Sequence, residues 1–156
     1  MKSRIKLSTY CFILTIGLIA VLCGIGIYTY ATPHFYIVLV VLLVLLFFGC
    51  LYAPLSIEAS ERYVTIKGIL KNRRIPIENI DFVVPFQPTM GAIRICGSGG
   101  FMGYWGIFRE GDVGRYMAYY GHSSDCFFIR LKNGDKYVLG CENPEKMVEY
   151  INKNLK

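Results

Sequence analysis

The sequence lacks charge over much of its first third: no Lys, Arg, Asp or Glu occurs between Lys6 and Glu58. This interval is almost continuously apolar and is interrupted only around residues 29–34. A membrane-spanning helix needs about 20 apolar residues, so the interval is too long for one helix and suits two. We therefore predict a two-helix transmembrane anchor over residues 1–54, with spans at about 9–30 and 35–53.

Neither apolar segment carries a polar stripe, which excludes an ordinary surface helix of a soluble protein. The main alternative for the first segment is a secretory signal peptide, because basic residues precede it. Its apolar core is too long for that, and no clean small-x-small cleavage signal follows, so we expect both helices in the mature protein. Tyrosines lie near the predicted span ends, where amphipathic rings favour the headgroup layer: Tyr10, Tyr28, Tyr30, Tyr36 and Tyr52.

The connector between the two predicted spans also lacks basic residues, whereas Lys2, Arg4 and Lys6 precede the first span and further Lys and Arg residues follow the second. The positive-inside rule then places both termini and the rest of the chain in the cytoplasm. We expect a multi-pass protein of the cell membrane. The six cysteines include no CxxC pair, which argues against a disulfide framework or a zinc site and fits a reducing compartment.

Several classes of functional site are missing from the remainder of the chain. The net charge is +6, and three of the basic residues precede the first span, so the excess left for the rest is too small to indicate nucleic-acid binding. His34 and His122 lie far apart without a third ligand, which predicts no metal site. Ser124 and Asp125 follow His122 closely, but the members of a hydrolase triad must converge in space and adjacent residues rarely do. We expect no catalytic residue and no cofactor.

From about Leu55 the dominant hydrophobic period is two, which predicts short β-strands. Pro85 places its strand at a sheet edge, because proline cannot donate to a ladder. Asn133 and Gly134 predict a type I′ turn between the last two strands. The predicted strands are 56–60, 63–67, 73–77, 80–86, 92–96, 106–109, 116–120, 126–131 and 136–139.

The period changes to that of a helix after Asn143, which is followed by Pro144 at the first helical position. Its apolar residues fall on one face: Met147, Val148, Ile151 and Leu155. The predicted fold class is therefore a membrane protein of α+β type. An antiparallel β-barrel or sandwich, capped by the C-terminal helix, occupies residues 55–156.

Two clusters are candidates for contact with lipid headgroups or a protein partner. The first is an aromatic, glycine-rich segment at 97–106; no Lys-Ser/Thr pair and no helix follow it, so it is not a phosphate loop. Either its large side chains form a loop for the interface or a partner, or they fill a small core behind a bent hairpin. The second cluster is basic and either meets headgroups or is a solvated strand end. The candidate residues are Phe101, Met102, Tyr104 and Trp105 in the first cluster and Lys71, Arg73 and Arg74 in the second.

The segments 57–68, 74–80, 100–108 and 136–145 together carry a resemblance to a known family. Over residues 55–155 the chain resembles the bacterial pleckstrin-homology-like (PH-like) domains, which are small and membrane-anchored. The resemblance implies a curled antiparallel β domain that ends in a helix, and it implies no catalytic motif. Eukaryotic relatives often bind phosphoinositides through a basic loop between the first two strands, but here that loop offers only Glu61 and Arg62.

These observations predict a non-enzymatic interaction module that docks a protein partner at the bacterial inner membrane. Two alternatives stay open. One is a sensor of anionic lipid or membrane state, and the other is an accessory subunit of a transporter or membrane enzyme. The expected partners are the lipid bilayer, a membrane or cytoplasmic protein and, for the sensor, an anionic lipid.

Overall fold

The computed structural model describes residues 1–89 and 91–155; Met90 and Lys156, the last residue of the predicted domain, lie outside the described residues. Two long helices near the N-terminus precede most of the strands, and a third helix closes the chain. The elements are β1 (Lys2–Arg4), α1 (Thr9–Tyr28), α2 (His34–Tyr52), β2 (Pro54–Ala59), β3 (Tyr63–Gly68), β4 (Asn72–Pro76), β5 (Ile80–Pro85), β6 (Ile93–Gly100), β7 (Gly103–Glu110), β8 (Gly114–Tyr120), β9 (Cys126–Leu131), β10 (Lys136–Gly140) and α3 (Pro144–Asn154).

Helices α1 and α2 are long and apolar enough to cross a membrane, each spanning about 30 Å at 1.5 Å per residue. Ser8 caps α1, because its hydroxyl accepts a hydrogen bond from the backbone N–H of Cys11 at 3.2 Å. Helix α2 ends just before Pro54, which cannot continue the helical hydrogen bonding. The two helices lie within a turn of the predicted boundaries.

The strands form two sheets: a four-stranded sheet in the order β1-β2-β3-β4 and a six-stranded sheet in the order β5-β9-β10-β8-β7-β6. The described strands do not close into a barrel, so of the two predicted forms the sandwich is the better description. One prediction was wrong: the sheet is not purely antiparallel, because β10 pairs with β8 in parallel. Strand β10 forms an antiparallel hairpin with β9 and lies between β9 and β8. Its direction is therefore the same as that of β8.

Two features of the sheets differ from the prediction. Strand β1, which precedes the first helix, pairs with β2 and places Ser3 opposite Ile57. The sequence does not predict this strand, because three residues are too few to show a hydrophobic period. The turn at Asn133–Gly134 does join β9 and β10. The predicted type I′ was wrong, because that type needs a positive φ at both residues and Gly134 is the only one of the two that has it. The Gly134 N–H donates to the Leu131 carbonyl at 2.9 Å, as in a three-residue loop with glycine in the left-handed position.

The main core lies between the two sheets and under α3, whose buried residues Met147, Val148 and Ile151 form the predicted face. Asn143 occupies the N-cap position without a side-chain capping bond. A second cluster of buried residues covers the opposite face of the six-stranded sheet. It consists of Phe108, Tyr116, Ala118, Tyr120, Cys126, Phe128 and Val138.

Candidate functional site

Two glycines with unusual backbone conformation face each other across the strands of the β6–β7 hairpin. Gly97 and Gly106 have φ values of 120° and 118°, a region that residues with a side chain rarely adopt. A Cβ atom on Gly97 would lie 2.1 Å from the Trp105 carbonyl oxygen. The close backbone approach of the two strands therefore requires glycine at this position.

The tip of this hairpin packs against both long helices. The Met102 backbone N–H donates to the Thr15 hydroxyl of α1 at 2.8 Å. On α2, a Cβ atom added to Gly49 would come within 2.6 Å of the Met102 sulfur and 2.8 Å of the Phe101 ring. The absence of a side chain at Gly49 thus makes room for the tip.

An aromatic and cationic stack continues the contact from the hairpin to the end of α2. The Tyr52 and Trp105 rings stack with centroids 5.5 Å apart. The Arg73 guanidinium lies over the Tyr52 ring at 5.7 Å and over the Tyr119 ring at 5.3 Å, distances typical of cation–π contacts. We call the set Thr15, Gly49, Tyr52, Arg73, Phe101, Met102, Trp105 and Tyr119 the helix junction.

The structure brings together four of the sequence-predicted site residues and separates the other three. Phe101, Met102, Trp105 and Arg73 meet in the helix junction, whereas Tyr104 lies on the opposite face of its strand and stacks on Tyr120 at 4.9 Å. Lys71 and Arg74 are exposed. Contact of these seven residues with a headgroup or a partner remains a prediction.

The helix junction also contains residues that the sequence analysis did not select. The sequence predicts Tyr52 at the headgroup layer and gives no signal at Gly49. Nothing in the local pattern at Thr15 distinguishes it from other hydroxyl residues of apolar helices. These three residues gain their role only from the hairpin that packs on them.

The Tyr119 hydroxyl is buried in the helix junction and has no hydrogen-bond partner among the described residues. Burial raises the pKa of Tyr119 to about 12, although the nearby Arg73 guanidinium opposes the shift. The Tyr116 hydroxyl, by contrast, donates to the buried Glu110 carboxylate at 3.4 Å, and burial together with this carboxylate raises the pKa of Tyr116. The two tyrosines are on the same strand but differ in hydrogen bonding.

We expect Tyr119→Phe to raise the free energy of unfolding by about 1 kcal/mol, because the change removes a buried hydroxyl that has no partner. Tyr116→Phe is the matched control and should lower it by about 1 kcal/mol, because Glu110 loses a donor. Thermal unfolding of the full chain in detergent measures both. Equal losses in the two variants would show that the Tyr119 hydroxyl is satisfied.

A second surface lies at the free edge of the six-stranded sheet. Strand β6 has no neighbour on its outer side among the described strands, and Ile93 is 68% exposed there. Arg109 and Arg115 face each other across β7 and β8, and neither makes an ion pair within the described residues. We call the exposed residues Ile93, Arg94, Ile95, Ile107, Arg109 and Arg115 the β6 edge surface.

The residues that superficially suggested a hydrolase triad do meet in space. The Ser124 hydroxyl lies 2.7 Å from His122 Nδ1 and 2.7 Å from an Asp125 carboxylate oxygen. The serine therefore sits between the ring and the carboxylate, whereas a triad requires the histidine in the middle. His122 Nδ1 also accepts a hydrogen bond from the Ser124 backbone N–H at 3.3 Å, so the group caps a short helical turn.

The remaining titratable groups form no metal site in the part of the chain that is described, where no three His, Cys, Asp or Glu residues cluster suitably. All six cysteines are free thiols. Burial raises the pKa of the Cys126 and Cys141 thiols, as expected for inert residues. Cys96 on β6 and Cys23 on α1 are exposed.

Comparison with known proteins adds one match. A family model described as bacterial PH domain matches residues 55–155, which include β2 from its second residue, β3 to β10 and α3. No curated protein and no solved structure shows significant similarity to the chain.

Proposed function

We propose that this chain, which belongs to the bacterial PH domain family, is a membrane-anchored interaction module that docks a protein partner at the inner membrane. PH domains are in general interaction modules without catalytic activity. Helices α1 and α2 would anchor the domain in the bilayer, with both termini in the cytoplasm. The helix junction would hold the domain against the anchor in one orientation.

The β6 edge surface is the observation that carries this proposal. An edge strand offers unpaired backbone N–H and C=O groups, and an extended segment of another protein can add to it as a further strand. The exposed side chains of Ile93 and Ile95 lie on this strand. Natural edges are usually protected by charges, proline or β-bulges; here β6 has one charged residue, Arg94, and an irregularity of register between Arg94 and Cys96, and Ile93 lies ahead of both.

The charges beside this edge define the chemistry of the partner. Arg109 and Arg115 are directly opposite each other, and like charges at such positions are destabilising unless an anion lies near them. The proposed occupant is therefore an extended segment with both apolar and acidic residues. A second copy of this chain fits less well, because it would bring further arginines to the same surface.

The experiment is affinity purification of the full-length protein from crosslinked native membranes, with copurifying proteins measured by mass spectrometry. We expect a protein in near-equal amount with the wild type, and loss of that protein with Ile93→Lys, which places a charge in the contact. Val84→Lys is the matched control, because Val84 is an exposed residue of β5, the strand at the other edge of the same sheet.

Retention of the partner by Val84→Lys together with its loss in Ile93→Lys would support the proposal. Equal retention in both variants, or no stoichiometric protein with the wild type, would contradict it. A second copy of the chain as the crosslinked product would replace the hetero-complex with a homodimer. A stable transporter or membrane enzyme as the product would identify the chain as its accessory subunit.

Sensing of anionic lipid is a second candidate, and the exposure of Lys71 and Arg74 favours it. Arg73 contributes less, because its guanidinium lies between the Tyr52 and Tyr119 rings. Enrichment of anionic lipid without a protein in the same purification would favour this function.

A further inference from the structure

The turn between β3 and β4 lies directly beside the end of α2. The Leu70 backbone N–H donates to the Cys50 carbonyl oxygen of α2 at 3.2 Å. A Cβ atom on Gly68, the last residue of β3, would lie 3.2 Å from the Ala53 carbonyl oxygen. Cys50 precedes the last residue of α2 by two positions, or about 3 Å along the helix axis. The turn therefore reaches the level of the last turn of α2.

This turn carries large apolar side chains where turns usually carry polar ones. Leu70 is 62% exposed and Ile69 is also exposed. Leu55 lies near them, since Pro54 pairs with Gly68, and it too is exposed. Lys71 follows the apolar pair and is exposed, with its charge available to an anion.

We propose that the turn Ile69–Leu70–Lys71 is a membrane contact in addition to the two helices. The Ile69 and Leu70 side chains enter the boundary between headgroups and acyl chains, in the leaflet where α2 ends. The Lys71 ammonium group meets lipid phosphates there, as basic residues beside spanning helices commonly do. This inference rests on the proposed membrane anchor.

The position of the turn favours the bilayer as the surface that it contacts. A residue bonded to the last turn of a spanning helix has the depth of that helix end, where lipid surrounds the protein. The β6–β7 hairpin reaches the helices through Met102, which bonds to α1, whereas the turn reaches them through α2. Together the two contacts fix the tilt of the domain on the membrane.

The test is photocrosslinking of the purified full-length protein in vesicles of phosphatidylethanolamine and phosphatidylglycerol. Benzoylphenylalanine is introduced separately at Leu70, at Val21 in the middle of α1, and at Tyr63. Tyr63 is the matched control, because it is an exposed residue at the opposite end of β3 from the turn. Mass spectrometry then identifies adducts with phospholipid or with protein.

The proposal predicts phospholipid adducts at positions 70 and 21 and none at position 63. Adducts at 21 without adducts at 70 would overturn the membrane contact and leave the anchor intact. Absence of lipid adducts at 21 would contradict the anchor itself and with it the proposal. Adducts at both 70 and 63, or a chain-to-chain adduct at 70, would also overturn it.

Discussion

Replacement of Gly97 by alanine lowers the free energy of unfolding by about 3 kcal/mol, which combines backbone strain at a positive φ with a steric clash. The added Cβ would lie 2.1 Å from the Trp105 carbonyl oxygen, a backbone atom that cannot move without disturbing the hairpin. The φ of 120° is also unfavourable for any residue with a side chain. Thermal unfolding of the full chain in detergent measures the loss.

Gly111→Ala is the matched control for this prediction. Gly111 follows β7, and a Cβ atom there would meet nothing within 4 Å. Its replacement should leave the free energy of unfolding unchanged within about 0.5 kcal/mol, as for surface sites without special features. If Gly97→Ala proved as mild as Gly111→Ala, the close approach of β6 and β7 would not depend on glycine.

Replacement of Gly49 by leucine expels the hairpin tip from the helix junction. A Cβ atom alone would already press on both the Met102 sulfur and the Phe101 ring, and leucine would fill the space that these two side chains occupy. We expect the contact to weaken by about 1–3 kcal/mol, the usual range for overpacking. Amide hydrogen exchange in residues 98–105 should accelerate roughly tenfold or more, since about 1.4 kcal/mol corresponds to tenfold.

Gly24→Leu provides the control, because it makes the same change in the other long helix at a position with open space around it. It should leave exchange in the hairpin unchanged. Equal acceleration in both variants would mean that the effect comes from the helices in general. Unchanged exchange with Gly49→Leu would show that the hairpin tip does not depend on its contact with α2.

Much of the fold was accessible from the sequence because its signals are local. The charge gap before Glu58 and the uniform apolar character of the predicted spans, about 9–30 and 35–53, predict two long helices. Alternating apolar residues locate the strands, and Pro144 with the face of Met147 and Ile151 locates the last helix. Pro85 correctly predicted an edge strand, since β5 lies at the end of its sheet.

The remaining features depend on contacts between distant segments. The period of β8 and β10 is the same whether they pair in parallel or antiparallel, so only the path of the β9–β10 hairpin determines the direction. The strands β6 and β7 extend through a glycine-rich segment, whose composition by itself is typical of a loop.

The candidate site was predictable in part for the same reason. Residue type indicated that the aromatic hairpin and Arg73 were unusual, but their meeting with Tyr52 depends on the packing of distant segments against the end of α2. The β6 edge surface gave no sequence signal, because Ile93 and Ile95 look like any alternating strand. Their exposure is a consequence of strand order.

Site-specific photocrosslinking from the β6 edge in native membranes tests the central claim most directly. Benzoylphenylalanine at Ile93 is compared with the same group at Val84 on the opposite edge of the sheet. The account predicts an adduct with one protein at position 93 and no such adduct at position 84. No protein adduct at position 93, or the same adducts at both positions, would contradict a docking role for this edge.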